Sequence, residues 1–159
     1  MGRAAGVSDD LVLLENWAAG LLLKLAPARR RAIALAISRA LRHSQQQRIA
    51  AQMDPDGAAF VPRKARKKLR GKQGRIKRSA MFTKLRTAKY LKAKATDAFA
   101  SVEFTGRAGQ IASVHQEGGE DRVAAHGPRV RYPRRRLLGF AAGDRDMIRD
   151  LLIDQLIKR

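Results

Sequence analysis

Apolar residues recur three and four positions apart near both ends of the chain, a pattern typical of amphipathic helices. Ser8 is a good N-cap for the first helix, Pro27 suits the first turn of a second, and a last helix begins near Asp144. The second helix ends near Met53, and we expect its far end to be exposed because "HSQQQR" makes its apolar face polar. The predicted apolar faces of the three helices contain Leu11, Leu14, Trp17, Ala18, Leu21, Leu22 and Leu25; Ile33, Ile37, Ala40 and Leu41; and Met147, Ile148, Leu151, Leu152 and Leu156.

Between the helices the pattern favours turns and short strands. The Asp-Pro and Asp-Gly pairs in "MDPDGAAF" predict a turn, and a short helix is predicted from Met81 to about Lys92. Alternation from Ala98 to Phe104 and the glycine turn in "TGRAG" predict a β-hairpin whose second strand contains Ile111 and Val114. "RVRYP" predicts one more strand, which Pro133 closes.

The sequence therefore predicts an α+β fold in a single domain over residues 1–159. Its parts are two N-terminal helices, a basic loop, a small antiparallel sheet with a β-hairpin, and a C-terminal helix.

The composition is strongly basic, with 34 Lys and Arg against 14 Asp and Glu and a formal net charge of +20 at pH 7. Such an excess indicates a polyanionic partner: nucleic acid, an acidic protein surface or anionic lipid. No acidic residue occurs between Pro62 and Lys94, and the densest part, at about 63–80, is predicted to be a mobile loop. A solvated loop that only aids solubility is the alternative, but the self-repulsion of these charges favours an anionic partner. The predicted polyanion- or partner-binding residues are Arg63, Lys64, Arg66, Lys67, Lys68, Arg70, Lys72, Arg75, Lys77 and Arg78.

Residues that usually carry catalysis are absent or poorly arranged. The chain has no cysteine, its three histidines lack metal-ligand spacing, and its serines lack the glycine context of a nucleophile elbow. The carboxylates Glu103, Glu117, Glu120 and Asp121 are better explained as surface charge balance. We therefore expect no metal, no cofactor and no enzymatic activity. The leucine-rich stretch from Leu11 to Leu25 is interrupted by polar residues and too short to span a membrane, so we expect no membrane association and no targeting segment.

Four separated segments carry a resemblance to a known family. They are "LRHSQQQRIAAQMDPDGAAFVPRK", "MFTKLRTAKYL", "VEFTGRAGQIASVHQEG" and "RYPRRRLLGFAAGDRDMI", and the resemblance covers most of the chain from about Arg39 to the final helix. In this order they resemble the phage virion morphogenesis family, the tail completion proteins of contractile-tailed phages. The most specific part of the resemblance is carried by eight residues, called the motif residues below: His115, Gln116, Gly118, Tyr132, Pro133, Arg135, Leu138 and Gly139.

The resemblance implies a structural protein of the virion that acts late in tail assembly. Such proteins work at the head-proximal end of the tail, where a finished tail becomes competent to join a DNA-filled head. It implies a homo-oligomeric ring around the tail axis, with phage tail and neck proteins as partners and assembly in the host cytoplasm. A basic loop turned inward would make non-specific contact with DNA in the channel, and one turned outward would contact acidic neck or tail subunits.

A stand-alone basic nucleic-acid-binding protein is the competing hypothesis. It predicts tight, salt-sensitive DNA binding by the isolated monomer. The assembly hypothesis predicts self-association or a requirement for tail proteins.

Overall fold

The computed structural model describes residues 5–63, 80–123 and 126–157, and it contains helices at both ends with two small sheets between them. The elements are α1 (Ala5–Leu22), α2 (Pro27–Ala50), β1 (Leu91–Ala95), β2 (Ala100–Phe104), α3 (Arg107–Glu117), β3 (Glu120–Arg122), β4 (Arg129–Arg131) and α4 (Ala142–Ile157). Strand β1 pairs with β2, and β3 pairs with β4. The α+β prediction is confirmed: the two N-terminal helices and the C-terminal helix are present, and the antiparallel pairing is found in two small sheets of two strands each.

The chain divides into two compact units. The first comprises the described residues of Met1–His43, Ala93–Glu103 and Phe140–Arg159, and the second those of Ser44–Lys92 and Phe104–Gly139. Each unit contains one cluster of buried apolar side chains. The interpretation of residues 1–159 as a single domain stays a prediction.

The core of the first unit is formed by the apolar faces that the helical periodicity predicts. Its buried members are Ala18, Ile33, Leu41, Ile148 and Leu152, with Leu14, Leu22, Leu25, Ile37, Val102 and Met147 packed against them. Pro27 is the first residue of α2, as expected for a residue without a backbone N–H. Asp144 accepts a hydrogen bond from the backbone N–H of Ala141 (2.8 Å), which fixes the start of α4.

Two members of the predicted apolar face of α1 are exposed instead of buried. Trp17 and Leu21 both lie on the solvent side of the helix. The apolar residues of α1 therefore cover more than one face, and only part of them enters the cluster of the first unit.

The core of the second unit contains Ile49, Phe60, Met81, Phe82, Ala112 and Leu137. Most of these residues lie outside regular elements: Phe60, Met81, Phe82 and Leu137 are in loops and turns. The expectation that the far end of α2 is exposed is wrong, because Ile49 is completely buried and Gln45 nearly so. The predicted turn after α2 is present, and the Asp54 carboxylate accepts hydrogen bonds from the backbone N–H groups of Asp56 and Ala58.

The predicted hairpin with Ile111 and Val114 in its second strand is wrong, because both residues belong to α3. Ala108 and Ala112, four positions apart, are the buried residues of this helix, and such a small apolar pair fits helix packing. Strand β2 pairs instead with β1, whose sequence "LKAKA" alternates apolar residues with lysines. The helix ends at Gly118, which adopts the left-handed conformation (φ 73°) that favours glycine.

The short helix predicted from Met81 to Lys92 is also wrong. Residues 83–90 form successive turns, and β1 begins at Leu91. Phe82 has a positive φ of 62°, which right-handed helical backbone does not allow. The predicted strand in "RVRYP" is confirmed as β4, which pairs with β3 in the register Glu120 to Arg131. In the described ranges no helix has the length and apolar character needed to cross a membrane.

Candidate functional site

The motif residues of the sequence meet where the end of α3 lies against the segment 132–139 in the second unit. The backbone N–H of Arg135 donates to the carbonyl of His115 (2.7 Å), and that of Tyr132 donates to the carbonyl of Gly119 (2.9 Å). Two stretches of sequence that are separated by β3 and β4 therefore run side by side. Their side chains then hold further segments in place.

Gln116 holds the backbone of residues 137–138. Its side-chain oxygen accepts hydrogen bonds from the N–H groups of Leu137 (2.7 Å) and Leu138 (3.0 Å), and its side-chain nitrogen donates to the carbonyl of Leu138 (2.9 Å). Leu137 is fully buried. Because this segment is not part of a helix or strand, its backbone groups need side-chain partners, and Gln116 supplies them.

Arg135 is buried and holds the chain just before the basic run. Its Nε donates to the carbonyl of Val61 (2.7 Å) and its Nη2 to the carbonyl of Pro62 (3.1 Å). Only 5% of Arg135 is exposed. Burial, followed by the positive charge of Arg63, lowers the pKa of Arg135. The guanidinium nevertheless stays charged at neutral pH.

His115 accepts the third hydrogen bond of this guanidinium, through Nδ1 at 3.1 Å from Arg135 Nη1. A guanidinium has no acceptor, so the His115 proton must be on Nε2. Burial, followed by the charges of Arg135 and Arg63, lowers the pKa of His115 to about 4. The imidazole is therefore neutral at pH 7, and it lies edge-on to the rings of Phe82 and Tyr132 at centroid distances of 4.9 and 5.0 Å.

Gly139 and Gly118 are positions where the fold requires glycine. Gly139 has a φ of 150°, and a Cβ there would lie 2.6 Å from the ring of Pro55. Its carbonyl accepts a hydrogen bond from Gln45 on α2 (2.7 Å). At Gly118 a Cβ would lie 3.2 Å from the backbone N of Arg134. These two motif glycines therefore allow close approach of backbone segments.

Gln52 holds the chain on the other side of the basic run. Its side-chain oxygen accepts from the N–H of Met81 (2.6 Å), and its side-chain nitrogen donates to the carbonyl of Met81 (3.0 Å). Arg135 contacts the chain at residues 61–62 and Gln52 contacts it at residue 81. The two ends that flank residues 64–79 are thus fixed by buried or half-buried polar side chains.

A cavity of about 350 Å³ opens beside this cluster. Its wall contains the cationic side chains of Arg63, Arg131 and Arg135 and the rings of Phe82, His115 and Tyr132. The described residues contain no group of three or more His, Asp or Glu that could hold a metal ion. The cavity wall offers positive charge and apolar contact.

The structure brings all the predicted motif residues into one cluster but describes only one residue of the predicted basic run. Arg63 lies at the edge of the cavity, whereas Lys64, Arg66, Lys67, Lys68, Arg70, Lys72, Arg75, Lys77 and Arg78 lie outside the described residues. Arg48 also holds the segment 132–139, since its guanidinium donates to the carbonyls of Leu137 (2.7 Å) and Arg136 (3.3 Å). Sequence reasoning missed Arg48, and it missed Gln45 and Gln52 as well. For Gln45 and Arg48 the signal available was the "HSQQQR" stretch, in which polar side chains replace the apolar face near the end of α2.

Comparison with known proteins identifies the family. A model of the phage virion morphogenesis family matches residues 9–157, and the chain therefore belongs to that family. This match confirms the resemblance described from the sequence.

The chain is similar to tail completion protein S of Escherichia phage P2. The chain is 40% identical to it over 149 residues, which cover 93% of this chain and 98% of the relative. No solved structure matches the chain.

Proposed function

We propose that this chain is a structural component of a phage tail, which completes the tail at its head-proximal end and enables head–tail joining. The observation that carries the proposal is the 40% identity to a tail completion protein across nearly the whole of both chains. The protein is located in the virion tail after assembly in the host cytoplasm. It acts as a structural protein, not as an enzyme.

The proposed form is a ring of identical subunits around the DNA channel, in contact with tail and neck proteins. Support for self-association comes from an exposed stripe on α1, where Leu13, Trp17 and Leu21 follow one another at intervals of four residues. They are 66%, 45% and 37% exposed, respectively. Such an apolar stripe is typical of a surface that another protein covers. We therefore propose that a second copy covers this stripe in the ring.

The proposed role of the basic run is contact with a polyanion. Residues Arg63 to Arg78 contribute ten positive charges without an acidic residue. In a ring these charges would meet DNA in the channel or acidic neck subunits outside it. DNA contact of this kind is non-specific, since phosphates carry no sequence information.

The test is electron microscopy of lysates from the source phage or prophage with this gene deleted, with and without complementation by the intact gene. We expect filled heads beside unattached tails in the deletion, and joined virions after complementation. Normal virions without the gene would contradict the proposal.

The high charge favours a second candidate, a stand-alone nucleic-acid-binding protein. It predicts tight binding of duplex DNA by the purified monomer, with a log–log salt slope that becomes shallower as residues of the basic run are neutralised. Virions of the deletion phage that assemble normally, together with such binding, would favour this candidate over tail completion.

A further inference from the structure

Three arginines line the cavity of the second unit without a carboxylate partner. Arg63, Arg131 and Arg135 all contribute to its wall. Some other arginines of the described residues form ion pairs: Arg30 with Asp97, Arg136 with Asp56, and Arg149 with Asp146. Within the described ranges none of the three cavity arginines has such a pair. The cavity therefore concentrates positive charge that no ion pair of the described residues neutralises, although Glu120 lies opposite Arg131 in the register of β3 and β4.

Arg135 is the buried member of this group. A guanidinium has five N–H donors, and those of Arg135 have three acceptors: Val61 O, Pro62 O and His115 Nδ1. The remaining two N–H groups have no acceptor among the described residues. Carbonyl and imidazole acceptors satisfy hydrogen bonds but do not neutralise the charge, and a buried charge is costly without an opposite one. Arg63 makes the cost larger, since it is a like charge.

The rest of the wall is apolar. Met81, Phe82, Val130 and Pro133 line the same cavity, and Tyr132 adds a ring. A ligand that fits this wall carries both an anionic group for the arginines and an apolar group for the side chains beside them. A protein segment with a Glu or Asp next to large apolar residues has this composition.

We propose that the cavity binds an acidic segment of another virion protein, through a carboxylate that contacts Arg135, Arg131 and Arg63 and an apolar neighbour that packs on Met81 and Phe82. This inference rests on the proposed function, because the partner is then a tail or neck protein. Duplex DNA fits the cavity less well. The phosphates of a duplex lie on the outside of a wide helix and are contacted by exposed cationic side chains. Arg135, in contrast, is buried beside apolar side chains.

The first experiment measures binding of fluorescein-labelled heptapeptides to the full chain at 150 mM salt by fluorescence anisotropy. One peptide has a single Glu between Leu and Phe in a Gly/Ser context, and the other has Gln in place of Glu. We expect the Glu peptide to bind at least about tenfold more tightly, because a charge-assisted contact to arginine is lost in the Gln peptide. Equal affinities of the two peptides would overturn the proposal.

Arg131→Gln and Arg63→Gln are the informative variants, since both side chains are exposed and neither change should affect folding. Each should remove most of the difference between the two peptides. Arg129→Gln is the matched control: Arg129 lies on β4 two residues before Arg131 and does not line the cavity. An equal effect of Arg129→Gln and Arg131→Gln would show that general charge, not the cavity, attracts the peptide, and would overturn the proposal.

A 12-base-pair duplex serves as competitor. Two results together would overturn the proposal in favour of DNA as the ligand. The duplex would displace the Glu peptide at a lower concentration than unlabelled Glu peptide does, and only Arg131→Gln, not Arg129→Gln, would lose duplex binding. The proposal is supported if the duplex competes weakly and if Arg129→Gln and Arg131→Gln reduce this competition to the same extent.

Complementation separates this inference from the proposed function. If deletion of the gene leaves normal virions, the tail-completion role fails. If deletion prevents joining and Arg63→Gln/Arg131→Gln complements as well as Arg129→Gln does, the role stands and the cavity proposal fails. We expect the double variant to complement poorly and Arg129→Gln to complement fully.

Discussion

The two units of this chain are stabilised in different ways. The first unit packs apolar faces of helices, and helices satisfy most of their own backbone hydrogen bonds. The second unit includes the irregular segments 51–63, 80–90 and 132–139, in which only some backbone groups bond to other backbone groups. There, Gln45, Arg48, Gln52, Gln116 and Arg135 donate to or accept from main-chain atoms of these segments. Polar side chains thus replace the hydrogen-bond ladder that a sheet would provide.

Buried and half-buried polar side chains of the second unit therefore have a structural role that apolar side chains could not fill. An apolar residue at Gln116 would leave the N–H groups of Leu137 and Leu138 without a partner in a buried position. At Ile33, by contrast, only volume and apolar area matter. Substitutions in the two units should therefore destabilise for different reasons.

The largest expected effect is loss of apolar packing in the first unit. Ile33 is 1% exposed, so Ile33→Ala should lower the free energy of unfolding by about 3 to 5 kcal/mol, from lost burial and a residual cavity. Urea denaturation followed by circular dichroism measures this. Ile157→Ala is the matched control, because Ile157 is largely exposed, and it should change little. A similar loss in both variants would contradict the proposed core.

Loss of the Gln116 contacts in the second unit should be the next largest effect. Gln116→Ala removes three hydrogen bonds to Leu137 and Leu138 and should cost about 2 to 4 kcal/mol. Gln110→Ala, an exposed position on the same helix, provides the control for helix propensity. Equal denaturation midpoints for the two variants would show that the irregular segment does not depend on this side chain.

The sequence predicts the first unit better than the second. Helical periodicity predicted the core of the first unit, because amphipathic helices repeat at a fixed interval. It did not decide the state of Ile111 and Val114, because the glycines of "TGRAG" also fit a hairpin turn, and it failed at β1, because Leu91 also fits the end of a helix that begins at Met81. It also failed at Phe82, because no pattern of side chains reports a positive φ at a non-glycine residue.

The candidate site could be predicted only in part. The motif residues were found through resemblance to a family, and they do meet in one cluster. Their purpose could not be predicted, because a contact such as Arg135 to the carbonyl of Val61 joins residues that are 74 positions apart and involves a backbone atom. Gln52 was missed for the same reason: its partner is the main chain of Met81, which any residue could provide.

A smaller effect on stability is expected from the ionisation of His115. Its pKa is lowered from 6.5 to about 4 in the folded chain, by burial first and then by Arg135 and Arg63. Above pH 6.5 the imidazole is neutral in both states. Between pH 6.5 and 4 only the unfolded state takes up the proton, so the free energy of unfolding falls as pH falls. For this half-buried group, with solvent screening, the total is about 1 to 2 kcal/mol.

His115→Asn should make this pH dependence shallower, since the amide oxygen can accept from Arg135 but does not titrate. Urea midpoints measured from pH 7 to pH 4 give the comparison. His43→Asn, at an exposed position of α2, should retain the pH profile of the unmodified chain. Parallel profiles for His115→Asn and the unmodified chain would show that His115 does not contribute to acid destabilisation.

Substitutions in the exposed stripe of α1 should have the smallest effect on stability but a clear effect on self-association. Leu13 is 66% exposed, so Leu13→Ser should change the free energy of unfolding by less than about 0.5 kcal/mol. If a second copy covers the stripe of Leu13, Trp17 and Leu21, the same change weakens self-association in sedimentation velocity. Leu23→Ser, also exposed but off the stripe, is the control. Equal loss of association in both variants would remove the stripe as the contact surface, because a specific interface depends on position and not on apolar content alone.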